Sequence, residues 1–418
     1  MREMKDSGIE WVGKVPATWK VMPNKYIMTK KKVIKVVYDD ENIISLSMNG
    51  VIVRDLEAGG KMPKTFDGYQ IVYPGNLLMC LFDYDVTPRC IGLIKDYGVT
   101  SPAYSQFVMN NGNYSRYYYY YYLMVDHTKA LLHLAKNLRH SFTEEQLGAI
   151  LAPVPTIEEQ HQIVHYLDTQ CSEIDATAED IQKEISLLEE YKKSVITEAV
   201  TKGLNPDAEM KNSGIEWIGE IPKHWKVIRF KYIAIVKSNL VAPIRYINYP
   251  QIAPDVIEKD TGKIISHRSV EEASVDSWNH LFYKGQILYS KIRPVLNKVI
   301  IAPYDGLCSA DMYPISAKEN VRFLQYIMLS AFFVKQVDLV TRDRIKMPKI
   351  NQDELGNILL VWTSKEEQQQ IADYLDTKCS EIDTLIADKK RQLDILAEYK
   401  KSLIYEYVTG KKEVPVNE

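Results

Sequence analysis

The sequence has few cysteines and no long apolar run. Its five cysteines include no CxxC pair, which argues against both a disulfide framework and a zinc cage. The apolar runs fall far short of the roughly 18 residues that a membrane span requires. The start of the chain, Met1 to Glu10, lacks the basic segment and apolar stretch of a signal peptide. We therefore expect a globular protein that stays in the cytoplasm and has no membrane association.

Motifs that would carry catalysis are also missing. The sequence contains no GxxxxGK[ST] phosphate loop, no GxGxxG fingerprint and no Asn-Pro-Pro-aromatic tetrad of the kind with which amino-methyltransferases hold a flipped adenine. These absences disfavour ATP hydrolysis and DNA methylation by this chain alone, and we predict that it binds no cofactor. Nuclease carboxylate clusters are too loose a pattern to exclude, so Asp83 and Asp85 stay open as metal ligands, although we predict no metal site.

Length and charge indicate several domains with different partners. A chain of 418 residues exceeds one ordinary core and predicts about two to three domains. The net charge of -3 hides an uneven distribution, because Ile157 to Thr201 holds 11 acidic and 3 basic residues, whereas Lys226 to Thr363 holds 19 basic and 13 acidic residues. The second of these segments can attract a polyanion, while the first should be repelled by phosphate.

An internal repeat is the main feature of the sequence. Ser7-Gly-Ile-Glu-Trp-Val-Gly13 returns at an offset of 206 residues as Ser213-Gly-Ile-Glu-Trp-Ile-Gly219. At an offset of 208, Glu-Glu-Gln, Tyr-Leu-Asp-Thr, Cys-Ser-Glu-Ile-Asp and Glu-Tyr-Lys-Lys-Ser also occur twice, with the first copies within Glu158 to Ser194. The segments between these motifs differ. Shared ends with unlike middles predict that both halves serve the same kind of partner but recognise different things.

Two long helices are predicted at the ends of the repeats. Apolar residues after Thr156 step by threes and fours as far as Ala199, and the same pattern follows Glu366 to Leu403, which is the period of a helix with a coiled-coil seam. About 45 residues at 1.5 Å each give a rod of roughly 65 Å. Such rods can pair between separate molecules, but one chain with two matched rods can also pair them internally and antiparallel, and we favour that arrangement.

The doubled motifs resemble those of the specificity subunits of type I restriction-modification enzymes, and the resemblance covers essentially the whole chain. It implies a non-catalytic protein in which each of two recognition domains reads one half of an interrupted, asymmetric double-stranded DNA target. It also implies that the helices space the domains and dock two methyltransferase subunits, and that restriction subunits can join the complex. Gly75 to Ile94 and Gly285 to Ile301 correspond to strand-and-loop regions of such domains.

Candidate DNA contacts follow from the residue types that reach base edges and phosphates. In the second half they cluster around Pro294 and in a later basic stretch that Lys346 and Lys349 continue. In the first half the Thr87-Pro-Arg89 turn can contact bases or phosphates, and a lysine run can contact phosphates, although a charge run is often only a solvated face. The predicted contacts are Lys30, Lys31, Lys32, Thr87, Arg89, Lys291, Arg293, Asn297, Lys298, Arg342 and Arg344.

Two further patterns have a functional and a structural interpretation. The run Tyr117 to Tyr122 can stack on unpaired bases, but at an offset of 206 it corresponds to an apolar segment, so we favour packing against the core. His161 and His165 have a metal-binding spacing, yet their counterparts are Gln369 and Asp373, which disfavours a metal.

The sequence therefore predicts an α+β protein with two mixed α/β target-recognition domains, two long antiparallel coiled-coil helices and an internal pseudo-two-fold repeat. The expected domains are 1-155, 156-203 for the first helix, 204-363, and 364-418 for the second helix and tail. Two rival functions are a self-contained methyltransferase or nuclease, and a coiled-coil scaffold with two protein-binding heads.

Overall fold

The structure, a computed structural model, describes residues 2–57, 63–135, 140–344 and 346–415. The chain divides into two compact units. Unit 1 comprises Met1–Ile181 and Arg391–Glu418, and unit 2 comprises Gln182–Lys390. The long helices Ile157–Lys202 and Lys365–Val408 each contribute one segment to each unit. We call the part of a unit outside these helices its lobe.

The two long helices lie where the apolar periodicity predicts them. Residues of the predicted seam are buried, among them Leu167 in the first helix and Leu375 in the second. The remaining α-helices of the described residues are Ser115–His127, Glu144–Ala149, Phe230–Ile233, Val321–Leu329, Ala331–Thr341 and Gln352–Asn357. The two six-residue helices begin with a capping box, in which Thr143 or Asn351 accepts from the third backbone N–H of the helix.

Within each unit the two helical segments run antiparallel. In unit 1 the rings of Tyr166 and Tyr407 lie 4.5 Å apart between centroids, and further along Lys400 Nζ lies 2.6 Å from Asp175. In unit 2 Lys192 Nζ lies 2.7 Å from Asp383, and these two residues are the repeat counterparts of Lys400 and Asp175. The internal antiparallel pairing expected from the sequence is therefore confirmed.

Unit 1 is built around a four-stranded antiparallel sheet. Its strand order is Met28–Lys31, Tyr104–Met109, Leu77–Cys80, Ile91–Leu93. Two-stranded pairs complete the lobe: Met4–Ile9 with Gly13–Pro16, Lys20–Pro23 with Leu151–Val154, Ile44–Ser47 with Gly50–Val53, and Gln70–Val72 with Gly98–Thr100. The sheet strands are short and strongly buried at Leu77–Cys80, so they carry the core of the lobe.

Unit 2 repeats the order of this sheet despite its different sequence. The strands are Ala234–Val236, Met312–Ala317, Ile287–Ser290 and Val299–Ile301. A second four-stranded sheet has the order Leu240–Val241, Asn279–Phe282, Gly306–Cys308, Gln251–Ile252, and two-stranded pairs join Met210–Asn212 with Glu220–Pro222 and Lys226–Arg229 with Leu359–Trp362. Each lobe therefore has its own central sheet with the same strand order, and the two lobes differ in the strands attached to that sheet.

The run of tyrosines fills the core of unit 1, as the comparison with the second repeat predicts. Tyr117, Tyr118 and Tyr121 on the helix Ser115–His127 are completely buried. The Tyr117 hydroxyl donates to the Val408 carbonyl at 2.8 Å, which joins the lobe to the end of the second long helix. Just beyond, Gly410 has a positive φ of 68°, and a Cβ there would lie 2.5 Å from Pro16 Cγ, so this turn requires glycine.

Among the described residues, no single helix is long and apolar enough to cross a membrane. The bent pair Val321–Leu329 and Ala331–Thr341 meets that test only when its two helices are joined. Its large apolar side chains, including Phe323 and Phe333, are buried in the core of unit 2. These helices are therefore core elements of that unit.

Candidate DNA interface and lobe–helix docking sites

The predicted DNA-contact segments form equivalent loops in the two lobes. In unit 1 residues 81–90 connect the paired strands Leu77–Cys80 and Ile91–Leu93, and in unit 2 residues 291–298 connect Ile287–Ser290 and Val299–Ile301. We call these segments the central loops. Because their sequences differ completely, equivalent positions of the two lobes present different side chains.

The central loop of unit 2 has an unusual backbone. Arg293 and Asn297 flank a short 3-10 turn, Pro294–Leu296, and both adopt left-handed conformations with φ of 42° and 43°. This arrangement leaves Arg293 exposed and buries Asn297 completely. The Asn297 amide cannot reach DNA unless the loop opens, so we leave it out of the proposed contacts. Lys298 donates to the Pro254 carbonyl, which also restrains its side chain.

The structure brings the two basic segments of unit 2 together. Ile292 forms a bridge with Lys349, and the Arg293 backbone N–H donates to the Pro348 carbonyl at 2.7 Å. Arg342 ends the helix Ala331–Thr341, which packs against the turn Pro294–Leu296. The two segments, far apart in sequence, therefore form one surface.

The basic side chains of this surface differ in how free they are. Arg293 and Arg342 are exposed and have no side-chain partner among the described residues. Arg344 instead pairs with Glu354, and the Lys291 ammonium lies 5.4 Å from the centroid of the Tyr313 ring. Among the predicted DNA contacts of unit 2, Arg293 and Arg342 are thus the side chains most available to a polyanion.

In unit 1 the predicted contacts are more dispersed. Arg89 is committed to the protein, since its guanidinium donates to the Met48 and Ile91 carbonyls at 3.0 and 3.2 Å and to the Tyr119 hydroxyl at 2.6 Å. The Thr87 carbonyl accepts from Lys129 at 2.7 Å. Arg89 therefore holds the Ile44–Val53 hairpin against the lobe in this conformation.

The lysine run lies on the opposite edge of the unit 1 sheet. Lys30 and Lys31 are in the edge strand Met28–Lys31, three strands away from the strand that follows Arg89, which corresponds to roughly 14 Å. Lys30 lies 3.4 Å from Glu144, and the Lys31 ammonium lies 3.6 Å from the Tyr73 ring centroid. Lys32 is exposed. The structure therefore does not gather the unit 1 candidates into one surface.

The repeated motifs have a different role, because they attach each lobe to the start of a long helix. The Trp19 indole donates to Glu159 at 3.1 Å, and the Trp225 indole donates to Glu367 at 2.9 Å. Both tryptophans are almost completely buried. Burial opposes ionisation of Glu159, but hydrogen bonds from Trp19 and its other neighbours lower the pKa of the carboxyl below its usual value.

A second repeated contact binds the lobe about two and a half turns further along each helix. Asp168 accepts from Arg116 at 2.8 Å and from the Tyr120 hydroxyl at 2.7 Å. Asp376 accepts from the Tyr326 hydroxyl at 2.7 Å and pairs with Arg322. Burial, together with the hydrogen bond to the aspartate, raises the pKa of each tyrosine above its usual range.

A buried glutamine completes each docking site. Gln160 accepts from the Tyr114 backbone N–H at 2.8 Å, and its counterpart Gln368 accepts from the Asn320 N–H at 3.4 Å. Both glutamines are fully buried. Each accepts a hydrogen bond from the N-cap backbone N–H of the lobe helix that carries the docking arginine and tyrosine. We call the tryptophan–glutamate, arginine–tyrosine–aspartate and glutamine contacts together the docking site of each unit.

No group of His, Cys, Asp and Glu suited to hold a metal occurs among the described residues. The His161 ring stacks on Tyr114 with centroids 4.1 Å apart, and Asp85 pairs with His140 at 3.0 Å. These side chains therefore have structural partners.

Comparison with known proteins agrees with this architecture. The chain is 33% identical over 251 residues to the type I restriction enzyme EcoDI specificity subunit of Escherichia coli, a match that covers 56% of each chain. It is 27% identical over 285 residues to the MjaVIII specificity subunit of Methanocaldococcus jannaschii, with 63% of each covered. The resemblance to type I specificity subunits is confirmed. The matched region spans little more than half the length of the E. coli specificity subunit.

The overall fold is similar to that of a solved structure over nearly the whole chain. A chain in a solved structure concerned with complex assembly and conformational transition of a type I restriction-modification system aligns with a TM-score of 0.70 and 12% identity. The alignment covers 95% of this chain and 99% of that one. No family model matches the chain.

The docking role of Arg116, Tyr120 and Asp168 was not predicted from the sequence. Their counterparts Arg322 and Tyr326 follow at an offset of 206, and Asp376 follows at 208. A search for charged residues that keep these offsets would have separated the docking residues from the divergent surface around them.

Proposed function

We propose that the chain is the DNA-specificity subunit of a type I restriction-modification complex and has no catalytic site of its own. Each lobe reads one half of an interrupted, asymmetric target in double-stranded DNA, and the paired helices span the gap and dock two methyltransferase subunits. Restriction subunits join this core in the complete complex, which acts on DNA in the cytoplasm.

The observation that carries the proposal is the contrast between the docking sites and the central loops. Both docking sites use the same residue types in the same order, whereas residues 81–90 and 291–298 occupy equivalent places with unrelated sequences. A duplicated reader needs this combination, because two half-sites require one common scaffold and two different sets of base contacts.

In unit 2 we propose that Arg293 and Arg342 contact DNA directly. Both are exposed, lie on the surface formed by the two basic segments, and belong to a lobe whose sequence carries a surplus of positive charge. Lys291, Lys298 and Arg344 then stabilise this surface through their contacts with Tyr313, Pro254 and Glu354. In unit 1 Lys32 is exposed and is the candidate most available to DNA. Lys30, Lys31, Thr87 and Arg89 contact DNA only to the extent that their contacts within the protein permit.

Methylation mapping tests the proposal. The chain is expressed with the methyltransferase subunit encoded beside it in a host free of DNA methylation, and the genome is sequenced for modified adenines. We expect one interrupted motif. Arg293→Ala and Arg342→Ala should weaken or relax one half of it by about 1–3 kcal/mol per lost base contact, while Lys226→Ala, an exposed lysine of the same unit, should leave the motif unchanged.

The opposite result would favour the scaffold with two protein-binding heads. If the complex assembles but modifies no motif and binds no duplex DNA, the lobes are not DNA readers. If Arg293→Ala alters both halves equally, the assignment of one half-site to each lobe is wrong.

A further inference from the structure

Unit 1 contains a cavity of about 600 Å³ between its lobe and the long helices. Tyr119, Tyr120 and Leu123 of the tyrosine helix form one wall. Its volume is within the range of small-molecule sites. Five cationic side chains and two carboxylates line it: Arg89, Lys95, Arg116, Lys400 and Lys401, with Asp168 and Asp175.

The two carboxylates are already neutralised. Asp168 accepts from Arg116 and Tyr120, and Asp175 lies 2.6 Å from Lys400. Arg89 donates only to uncharged oxygens, and Lys95 has no side-chain partner among the described residues. The cavity therefore keeps a surplus of positive charge.

The remaining lysine also lacks a partner from the lobe. Lys401 pairs with Glu398 of its own helix at 2.6 Å, and both side chains are about half exposed or more, at 47% and 72%. An exposed pair of this kind neutralises little of the charge that faces the cavity.

The corresponding place in unit 2 is closed by the protein's own acids. Lys193, the repeat counterpart of Lys401, lies 3.1 Å from Asp260 of the segment 258–263, and Lys263 of that segment lies 2.7 Å from Asp383. The cavity there is smaller, about 380 Å³, and five lysines of its lining face four carboxylates. Unit 2 thus supplies an anion at a position where unit 1 supplies none.

The His127 ring also lines the unit 1 cavity. Burial and the positive charges of Lys401, Arg89 and Lys400 lower its pKa, against an opposing contribution from Asp126. Burial is the largest of these causes, so the cationic lining, and not the pKa of His127, is what favours an anionic occupant.

We propose that the unit 1 cavity binds the phosphate groups of a free, nucleotide-sized molecule. Lys95, which has no partner among the described residues, and Lys401, whose pair with Glu398 is exposed, provide ammonium groups for the phosphates. Arg89 adds a third cation, and the aromatic wall can cover a planar group. The proposed site shares only Arg89 with the DNA contacts proposed for unit 1, and its test uses Lys95 and Lys401, which are not among those contacts.

Calorimetric titration of the full chain with inorganic pyrophosphate and with ATP tests the site. We expect binding of one equivalent of each, and the double variant Lys95→Gln/Lys401→Gln should weaken it about tenfold or more. The matched variant Lys193→Gln/Lys263→Gln removes the same charge from unit 2 and should leave the affinity unchanged. Hydrogen exchange of both variants in the absence of ligand confirms that each remains folded.

Three results would overturn the proposal. These are no binding of either probe at millimolar concentration, an equal loss of affinity in the two double variants, or unchanged affinity in Lys95→Gln/Lys401→Gln. The source of the phosphate is tested by adding a short duplex. If the duplex displaces pyrophosphate and the Lys95→Gln/Lys401→Gln variant also binds the duplex tenfold more weakly, the cavity holds a DNA phosphate and not a free ligand.

Discussion

The two units keep the same docking site and differ in how the lobe meets the middle of the paired helices. In unit 2 the segment 258–263 reaches the helices through Lys193–Asp260 and Lys263–Asp383 ion pairs. In unit 1 the corresponding space is a positively charged cavity. After duplication, the contacts that hold lobe to helix were retained, while contacts beyond them were free to change. The most informative substitutions are therefore those made at the same repeat position in both units.

Replacement of the docking tryptophans should have the largest effect. Trp19→Ala and Trp225→Ala each remove a buried indole and its hydrogen bond to a glutamate, and we expect each to destabilise its own unit by about 3–5 kcal/mol. Hydrogen exchange followed by mass spectrometry can locate the loss. Trp217→Ala is the control, because that side chain is 42% exposed. A loss confined to one of the two docking variants would show that the docking sites are not equivalent.

Replacement of the docking aspartates should have a smaller effect. Asp168→Ala leaves Arg116 and the buried Tyr120 without their acceptor. Asp376→Ala leaves the buried Tyr326 without its acceptor, while Arg322 keeps its ion pair with Asp373. We expect each change to cost about 1–3 kcal/mol. We expect the larger loss at Asp168, whose side chain is 30% exposed against 43% for Asp376. Asparagine at either position keeps an acceptor oxygen and should restore part of the stability in denaturant unfolding. The reverse order of losses would contradict the burial argument.

The smallest expected difference between the two units is a dependence of stability on pH that is specific to unit 2. Burial alone would raise the pKa of the Asp383 carboxyl. Its pairing with Lys192 and Lys263 outweighs burial and lowers this pKa below the ordinary value of 3.8. Its contribution to stability is therefore present above that value and lost as the pH falls from there through the lower pKa of the folded state. Asp383→Asn should reduce the acid sensitivity of unit 2, measured by hydrogen exchange at neutral pH and near pH 3.

Glu381→Gln serves as the control for this measurement. Glu381 forms an exposed pair with Lys378 on the same helix, so its replacement should change the acid sensitivity little. Equal pH profiles for Asp383→Asn and the unmodified chain would show that the two lysines do not stabilise the ionised carboxyl.

The long helices and the shared lobe architecture were the predictable part of the structure. The helices follow from apolar spacing alone, and the internal antiparallel pairing follows because one chain carries both seams. The burial of every tyrosine in the run Tyr117 to Tyr122 except the partly buried Tyr119 could also be predicted, since the second repeat has mostly apolar residues at the corresponding positions. In each case the evidence was a regular pattern present twice, and the structure agrees with it.

The availability of the candidate DNA contacts could not be predicted in the same way. Arg89 and Arg293 look alike in sequence, each beside a proline, yet the first is held by three protein oxygens and the second is exposed. Asn297 has nearly the same left-handed backbone as the exposed Arg293, yet it is completely buried. These outcomes depend on loop geometry and on distant acceptors such as the Met48 carbonyl, and a local sequence pattern contains neither.

The discontinuous composition of unit 1 affects the order in which the chain can fold during synthesis. Unit 2 is one continuous segment, whereas unit 1 combines Met1–Ile181 with Arg391–Glu418. The first lobe leaves the ribosome early, but its Tyr117 partner at Val408 and the glycine turn against Pro16 are made more than 200 residues later. The lobe synthesised first is therefore completed last. The part of its helix Ser115–His127 that contacts the end of the second long helix stays uncovered while unit 2 folds.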